Sequence, residues 1–168
     1  ACSIGGNVAE NAGGVHCLKY GLTVHNVLAV EMITIEGERV VLGGETLDTP
    51  GFDLLALITG SEGTLGVITE VTVRLFGIPE AVLGAICPFP SIAQAVTTVI
   101  EAMQSGIPLA RIEIMNESAV RAVNAHSGLD NAPTPTLFLE FHGSPRGVEE
   151  QAEAFQALAE ANGATAMR

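Results

Sequence analysis

Residues 27–35 read VLAVEMITI, apolar at most positions, and the run stops at Gly37. A short apolar run bounded by a turn residue predicts a buried strand. Glu38 to Leu42 (ERVVL) predicts its partner, reached through a turn at Glu36-Gly37-Glu38. Phe52 to Ile58 (FDLLALI) follows Pro50-Gly51 and predicts one or two helical turns. Leu65 to Phe76 (LGVITEVTVRLF) alternates: Val67, Thr69, Val71, Val73 and Leu75 share one face, and Ile68, Glu70, Thr72 and Arg74 the other. That pattern predicts a strand with one drier side.

Beyond Gly77-Ile78-Pro79-Glu80 the pattern becomes strand–helix alternation. Val82 to Cys87 predicts a strand. Ser91, with Gln94 three residues on, predicts a capped helix start. Ile92, Val96, Val99, Ile100 and Met103 then line one face, the expected core side. Gly106 and Pro108 end that helix. Leu109 to Met115 (LARIEIM) predicts a strand with Ile112 and Ile114 on one side and Arg111 and Glu113 on the other. Asn116 caps a helix to about Ala125, and Leu137 to His142 (LFLEFH) is a strand. Ser144-Pro145 starts a last helix, with Val148, Ala152, Phe155 and Ala159 as its core face and Leu158 beside them. The second half therefore reads β-α-β-α-β-α-β, with helices covering one side of a small sheet, as in ferredoxin-like α+β domains.

Composition narrows the classes. A length of 168 residues allows one domain or two small ones, and 48% apolar residues suffice for a core. The net charge of -12 comes from scattered acidic residues. It argues against nucleic acid and anionic membrane surfaces, which need clustered Lys and Arg. Three cysteines, Cys2, Cys17 and Cys87, make an odd count with no C-x-x-C spacing, so a reducing, cytoplasmic setting is expected. No apolar run approaches the roughly 20 residues of a membrane-spanning helix. The chain opens on Ala1 in mid-motif and closes on a strand-like ATAMR, the expectation for an internal segment of a longer protein.

Several chemistries find no support. His16, His25, His126 and His142 lack metal-ligand spacing, alone or with cysteines and carboxylates, so no metal site is expected. Gly60-Ser61-Glu62-Gly63 has the wrong spacing for a nucleophile elbow. Neither G-x-x-x-x-G-K-[ST] nor G-x-G-x-x-G occurs. Two glycine clusters remain: CSIGGNVAENAGG at 2–14, and GSEGTLGVITE at 60–70, which runs straight into a strand. Glycine lets backbone N–H groups approach ligand oxygens and permits positive φ. Small residues and asparagines add donors and acceptors without bulk. The alternative is two tight turns that need positive φ.

CSIGGNVAENAGGVHCLKYG followed by GSEGTLGVITEVTVRL resembles flavoproteins of the vanillyl-alcohol oxidase and p-cresol methylhydroxylase (PCMH) type, in particular the FAD-linked subunit of glycolate oxidase and its D-lactate dehydrogenase relatives. The resemblance covers essentially the whole chain. It implies an α+β fold: residues 1–77 as the C-terminal part of a PCMH-type FAD-binding domain, and residues 81–168 as part of a ferredoxin-like cap, or substrate, domain. It implies FAD contacts, mostly through main chain, at Ser3, Gly5, Gly6, Asn7, Asn11, Gly13, Gly14, Glu62, Gly63, Gly66, Val67 and Ile68. It implies FAD-dependent oxidation of a small 2-hydroxy acid, with electrons leaving to partner subunits or a quinone. The cytoplasmic protein would then touch the inner face of the membrane only through such partners. Relatives carry a pyrophosphate loop upstream and a G-H-x-G-D-G-N segment downstream. This chain holds neither, and no catalytic residue is assigned within it.

Two other functions stay in view: a non-redox FAD transferase of the ether-lipid synthase type, and a flavin-free regulatory module that binds small molecules. Residue by residue, Asn7 and Asn11 either bond the cofactor or brace their own turn. Glu62, costly beside a phosphate, is expected on backbone N–H groups or a ribose hydroxyl. His16 and Lys19 are expected as loop residues, Cys17 as a packed thiol, Arg111 and Glu113 as an exposed strand face, and His142 as a structural histidine.

Overall fold

The computed structural model describes residues 2–44 and 51–168. Pro50, which precedes the expected helical segment from Phe52, lies outside the described residues. The chain separates into two compact units, one ending at Gly77 and the other beginning at Ile78.

The first unit opens with helix α1 (Ile4–Glu10) and a single helical turn α2 (Cys17–Tyr20). Strands β1 (Val27–Ile33), β2 (Arg39–Gly43) and β3 (Val67–Val73) form an antiparallel sheet in the order β2-β1-β3, with helix α3 (Leu54–Ile58) between β2 and β3 in sequence. The β1–β2 connection closes at Gly37, φ 81°, where Gly37 N–H donates to Thr34 O at 3.0 Å and Thr34 N–H to Glu38 O at 2.9 Å. Asp53 caps α3 by accepting from Ala56 N–H at 2.9 Å. The core is small: Val8, Val27, Val30, Met32 and Ile58 are buried, with Val40, Leu42, Leu55, Ile68 and Val71 against them.

Strand β3 departs from strict alternation. Glu31 pairs with Glu70, but the next residue, Met32, pairs with Ile68, so Thr69 is an extra residue on β3. A bulge of this kind reverses the facing of everything beyond it. Ile68 and Val71 thus reach the core together, while Val67 is 66% exposed and Leu75 86%. The expectation that Val67, Thr69, Val71, Val73 and Leu75 share one face is corrected accordingly.

The second unit contains β4 (Ala81–Pro88), α4 (Ile92–Gln104), β5 (Leu109–Met115), α5 (Glu117–Ser127), β6 (Thr136–Gly143) and α6 (Pro145–Ala161). The sheet order is β4-β6-β5, and β6 is antiparallel to both neighbours. Strands β4 and β5 are therefore parallel with β6 inserted, the split β-α-β of the ferredoxin-like class. Ser91, Asn116 and Ser144 cap α4, α5 and α6 through their side-chain oxygens, as their positions in the sequence suggest.

One face of this sheet carries the core. Ala85, Cys87, Leu137, Leu139 and Phe141 meet Val148, Ala152, Phe155 and Ala159 of α6. Phe141 and Phe155 pack edge to face with centroids 6.2 Å apart. Helix α4 packs differently from its sequence pattern. Ala95, Thr98 and Ala102 are buried, with Val99 beside them, whereas Ile92, Val96, Ile100 and Met103 stay 43–50% exposed. Small residues let the helix axis come close to its neighbours, and Thr98 satisfies its hydroxyl on Gln94 O at 2.9 Å. The chain's last residues run along β4, with Arg168 and Ile86 exchanging backbone hydrogen bonds at 2.8 and 3.1 Å.

Candidate functional site

The first glycine cluster folds mainly as helix α1 rather than as an open loop. Ser3 is the reason it can start: its Oγ accepts from Gly6 N–H at 3.0 Å, offsetting the poor helix propensity of Gly5 and Gly6. A Cβ on Gly6 would meet Ser3 Oγ at 2.9 Å, so the cap itself requires that glycine. The helix stops at Asn11, which takes the left-handed conformation at φ 48°. Its Oδ1 accepts from Val24 N–H at 3.0 Å, so this oxygen braces the turn. Gly13 lies close to Leu22, with a would-be Cβ contact of 3.1 Å, whereas Gly5 and Gly14 have nothing within 4 Å of that position.

The second cluster docks on the end of the first. Gly60 N–H donates to Val8 O at 2.8 Å, and Glu62 N–H to Ala9 O at 2.9 Å. Glu62 adopts φ 52° and Gly63 φ 76°, two consecutive left-handed residues, the first of them non-glycine and therefore strained. Gly63 borders open space. Gly66, at φ 155°, passes so close to β1 that a Cβ would lie 2.6 Å from Ile33 O. That glycine is fixed by strand packing, and Ile68 by the core. Among the twelve positions singled out from sequence, Gly5, Gly14 and Gly63 have open space where a side chain would stand, and Asn7 borders the concave surface described next while its amide donates to Cys2 Sγ at 3.5 Å. Ser3, Gly6, Asn11, Gly13, Gly66 and Ile68 already have work within the fold, and the Val67 side chain is exposed.

A concave surface of about 560 Å³ lies along the first cluster, bordered by Asn7, Gly13, Gly14, His16, Cys17 and Tyr20. A second, of about 260 Å³, adjoins it through Asn7 and Ala12 and includes Ile4, Thr23 and Asn26. Asn26 is a residue that sequence reasoning missed. Its amide donates to Tyr20 O at 2.8 Å and Leu22 O at 2.9 Å, while its Oδ1 is buried without a donor. A buried acceptor left unpaired costs about 1–3 kcal/mol, so it favours a ligand that brings an N–H or O–H. A lone Asn ahead of a strand gave no signal of this role. Among the described residues, no carboxylate lines either concavity, although the chain carries a net charge of -12. Bare backbone, an unpaired acceptor and the exclusion of acidic groups fit a long, partly anionic cofactor such as FAD.

The remaining ionisable groups sit elsewhere. Glu31 on β1 is held below the usual carboxylate range by its hydrogen bond from Arg39, which outweighs the opposing effect of desolvation, with Thr69 and the Arg39 charge adding to the lowering. Burial, with Glu160 adding to it, pushes the Cys87 thiol up to about 11, so this cysteine is inert in the core of the second unit. On the sheet face of that unit opposite the helices, Arg111 donates through Nη1 to Glu140 Oε1 at 3.1 Å, and His142 Nε2 lies 3.4 Å from Glu140 Oε2. Arg111, expected on an exposed face, is instead largely covered. His142 is buried.

Comparison with known proteins places this geometry in context. Residues 78–168 match the family described as FAD linked oxidases, C-terminal domain, and residues 1–43 match the FAD binding domain family. The chain is 47% identical over 170 residues to the glycolate oxidase subunit GlcD of Escherichia coli (strain K12), covering 100% of this chain and 34% of that protein. It is 39% identical over 165 residues to a probable mitochondrial D-lactate dehydrogenase of Danio rerio, covering 96% and 33%. The chain thus spans about a third of the length of these relatives. Among solved structures, an alkyldihydroxyacetonephosphate synthase superposes with a TM-score of 0.74 at 21% identity, covering 98% of this chain and 34% of that one. A p-cresol methylhydroxylase superposes at 0.72 and 14%, covering 97% and 37%. These two likenesses establish the PCMH-type fold. Among the described residues, no helix is long and apolar enough to cross a membrane.

Proposed function

The chain belongs to the FAD-linked oxidases, and from that premise we propose that it forms part of an enzyme that oxidises a small 2-hydroxy acid of the glycolate or D-lactate type. Residues 1–77 contribute part of the FAD-binding domain, and residues 81–168 part of the substrate, or cap, domain. The observation that carries this reading is the joining of the two glycine clusters through Gly60–Val8 and Glu62–Ala9, together with a concavity along the first cluster that no carboxylate lines among the described residues. The names of the relatives, glycolate oxidase and D-lactate dehydrogenase, supply the substrate class.

When bound, FAD supplies a hydride acceptor for the α-carbon of the hydroxy acid. This chain's own share is positioning. The bare backbone at Gly5, Gly14 and Gly63 admits close approach, Asn7 offers an amide, and the unpaired Asn26 Oδ1 receives a donor. Asn11, Gly6, Gly13 and Gly66 hold that surface in shape. Ser3, Glu62, Val67 and Ile68 complete the contact set carried by the resemblance. Electrons would then pass to partner subunits or a quinone, and the odd cysteine count supports a reducing, cytoplasmic setting.

The test is an anaerobic visible spectrum of the polypeptide that carries this chain at the relatives' full length. Glycolate or D-lactate should bleach the oxidised flavin band. A flavin band that neither acid changes overturns the substrate class and favours the transferase chemistry of the same fold. A protein that cannot be loaded with FAD overturns the cofactor reading as well.

A further inference from the structure

Helix α4 is apolar on two sides. Ala95, Thr98 and Ala102 are buried on the core side, while Ile92, Val96, Ile100 and Met103 form a second stripe that stays 43–50% exposed. The other exposed positions of the helix, Ala93, Thr97 and Gln104, are uncharged. Its one ionisable residue, Glu101, is half-buried and accepts from Asn162 Nδ2 at 2.6 Å. Helix α6 of the same unit shows the contrast, because its exposed side carries Arg146, Glu149, Glu150, Glu153 and Glu160. A helix with one buried face follows the α6 pattern, whereas a helix apolar all round is covered all round. In a chain with a net charge of -12, a helix face without one charge marks a contact surface.

The form of the stripe selects the occupant. Positions 92, 96, 100 and 103 follow the i, i+4, i+8, i+11 rows of a helix surface, the ridge that fits the groove of a second helix. Four such side chains at about half exposure present on the order of 400 Å², against ~800 Å² per partner in a stable association of separate molecules. Two copies meeting through α4 would also bring together two chains of net charge -12. A segment of the same polypeptide needs less area, because its attachment replaces the entropy of association by a high effective concentration.

The chain leads toward such an arrangement. After α6 it passes the flank of α4, where a Cβ on Gly163 would stand 2.6 Å from Gln94 Nε2. It is then fixed to β4, with Thr165 N–H donating to Pro88 O at 3.0 Å and Arg168 and Ile86 exchanging bonds at 2.8 and 3.1 Å. The five residues after Gly163 reach at most about 18 Å, so Arg168 stays within a short linker of α4. The relatives' length leaves room for the segment, since this chain covers 34% of the glycolate oxidase subunit and 33% of the D-lactate dehydrogenase.

We propose that the outward stripe of α4 is an intrachain docking surface, covered by an amphipathic helix from the polypeptide that follows Arg168 at the relatives' full length. Ile92, Val96, Ile100 and Met103 are then core residues of the complete domain, and α4 is its central helix.

The experiment uses the flavin-loaded polypeptide at that length. Val96→Cys and Ile100→Cys should react with N-ethylmaleimide about 100-fold more slowly than Glu153→Cys on the charged side of α6, read residue by residue by mass spectrometry. The occupant is identified by placing the photoreactive residue p-benzoylphenylalanine at Ile100, in an equal mixture of unlabelled and ¹⁵N-labelled chains. Irradiation should join Ile100 to a peptide that lies after Arg168 in the same chain. If the bulky residue prevents folding, the same pair of measurements at Thr97, on the margin of the stripe, decides the matter. Alkylation at the rate of Glu153→Cys overturns the inference. So does a crosslink that pairs labelled with unlabelled chain, that reaches a different subunit, or that reaches a segment before Ala1. None of these readouts depends on turnover, so their failure leaves the hydroxy-acid reading intact, and the failure of that reading leaves them unchanged.

Discussion

The two units solve the folding problem in opposite ways. The second is held by side-chain volume: Phe89, Phe141 and Phe155 are completely buried, within one core that draws on all three strands and on α4 and α6. Among the described residues the first has five buried apolar side chains, none aromatic, and it is assembled by close approaches to main chain. Gly43 lies against Leu28 O, Gly60 against Asn11, and Gly66 against Ile33 O. Side chains on that unit are cleared away from a surface rather than gathered beneath it. The difference is what a cofactor-holding surface and a packed α+β layer each demand of a sequence. One must expose backbone, and the other must bury apolar area at roughly 25 cal/mol per Å².

The comparison breaks if the same kind of substitution damages both units. The largest expected effect is Phe155→Ala, which opens a cavity under β6 and loses the edge-to-face contact with Phe141. It should cost about 4 kcal/mol, read from the urea midpoint. Hydrogen-exchange protection should fall in β4, β6 and α6 and hold in β1 and β3. Gly66→Ala should reverse that distribution. It places a methyl 2.6 Å from Ile33 O at φ 155°, and should cost about 3 kcal/mol with protection lost across β1 and β3. Equal losses in both sheets from either variant would show that the units unfold as one.

A smaller effect sharpens the picture of the dry core. The Cys87 thiol is raised from an ordinary 9.0 to about 11, so folding favours its neutral form. The unfolded chain ionises first. Stability is therefore complete below about pH 9 and is lost as pH climbs toward about 11. Urea midpoints measured between pH 8 and 11 should decline in the wild type and decline less in Cys87→Ala. Parallel curves would mean that the thiol is not shielded from water.

Much of the fold was legible because local signals and tertiary packing agreed. Ser91, Asn116 and Ser144 mark three helix starts, Gly37 marks a hairpin, and the Val148–Ala159 stripe of α6 is a core face both by pattern and in fact. Where the reading failed, packing overruled periodicity. A bulge at Thr69 swapped the faces of β3, and a period-two pattern carries no sign of an inserted residue. On α4 the large residues suggested one face, but close packing selected Ala95, Thr98 and Ala102. In the candidate site, the glycine clusters were readable from composition, but a cofactor role for them was implied only by the resemblance. Their mutual contact was not readable, since Gly60–Val8 and Glu62–Ala9 are backbone bonds between segments some fifty residues apart. The role of Asn26 was likewise invisible, because it depends on what the surrounding backbone leaves unpaired.

The central claim is that the surface cleared of side chains holds FAD. Gly14 tests it most directly, because a Cβ there meets nothing of the protein within 4 Å. Gly14→Val should therefore leave the fold intact, by circular dichroism and urea midpoint, while adding bulk where the cofactor would lie. The measurement is flavin bound per polypeptide in the relatives' full-length context, wild type against Gly14→Val. The account predicts flavin lost by about 10-fold or more with stability unchanged, as expected where close backbone approach to a ligand requires glycine. Full flavin content in a well-folded Gly14→Val protein would contradict it.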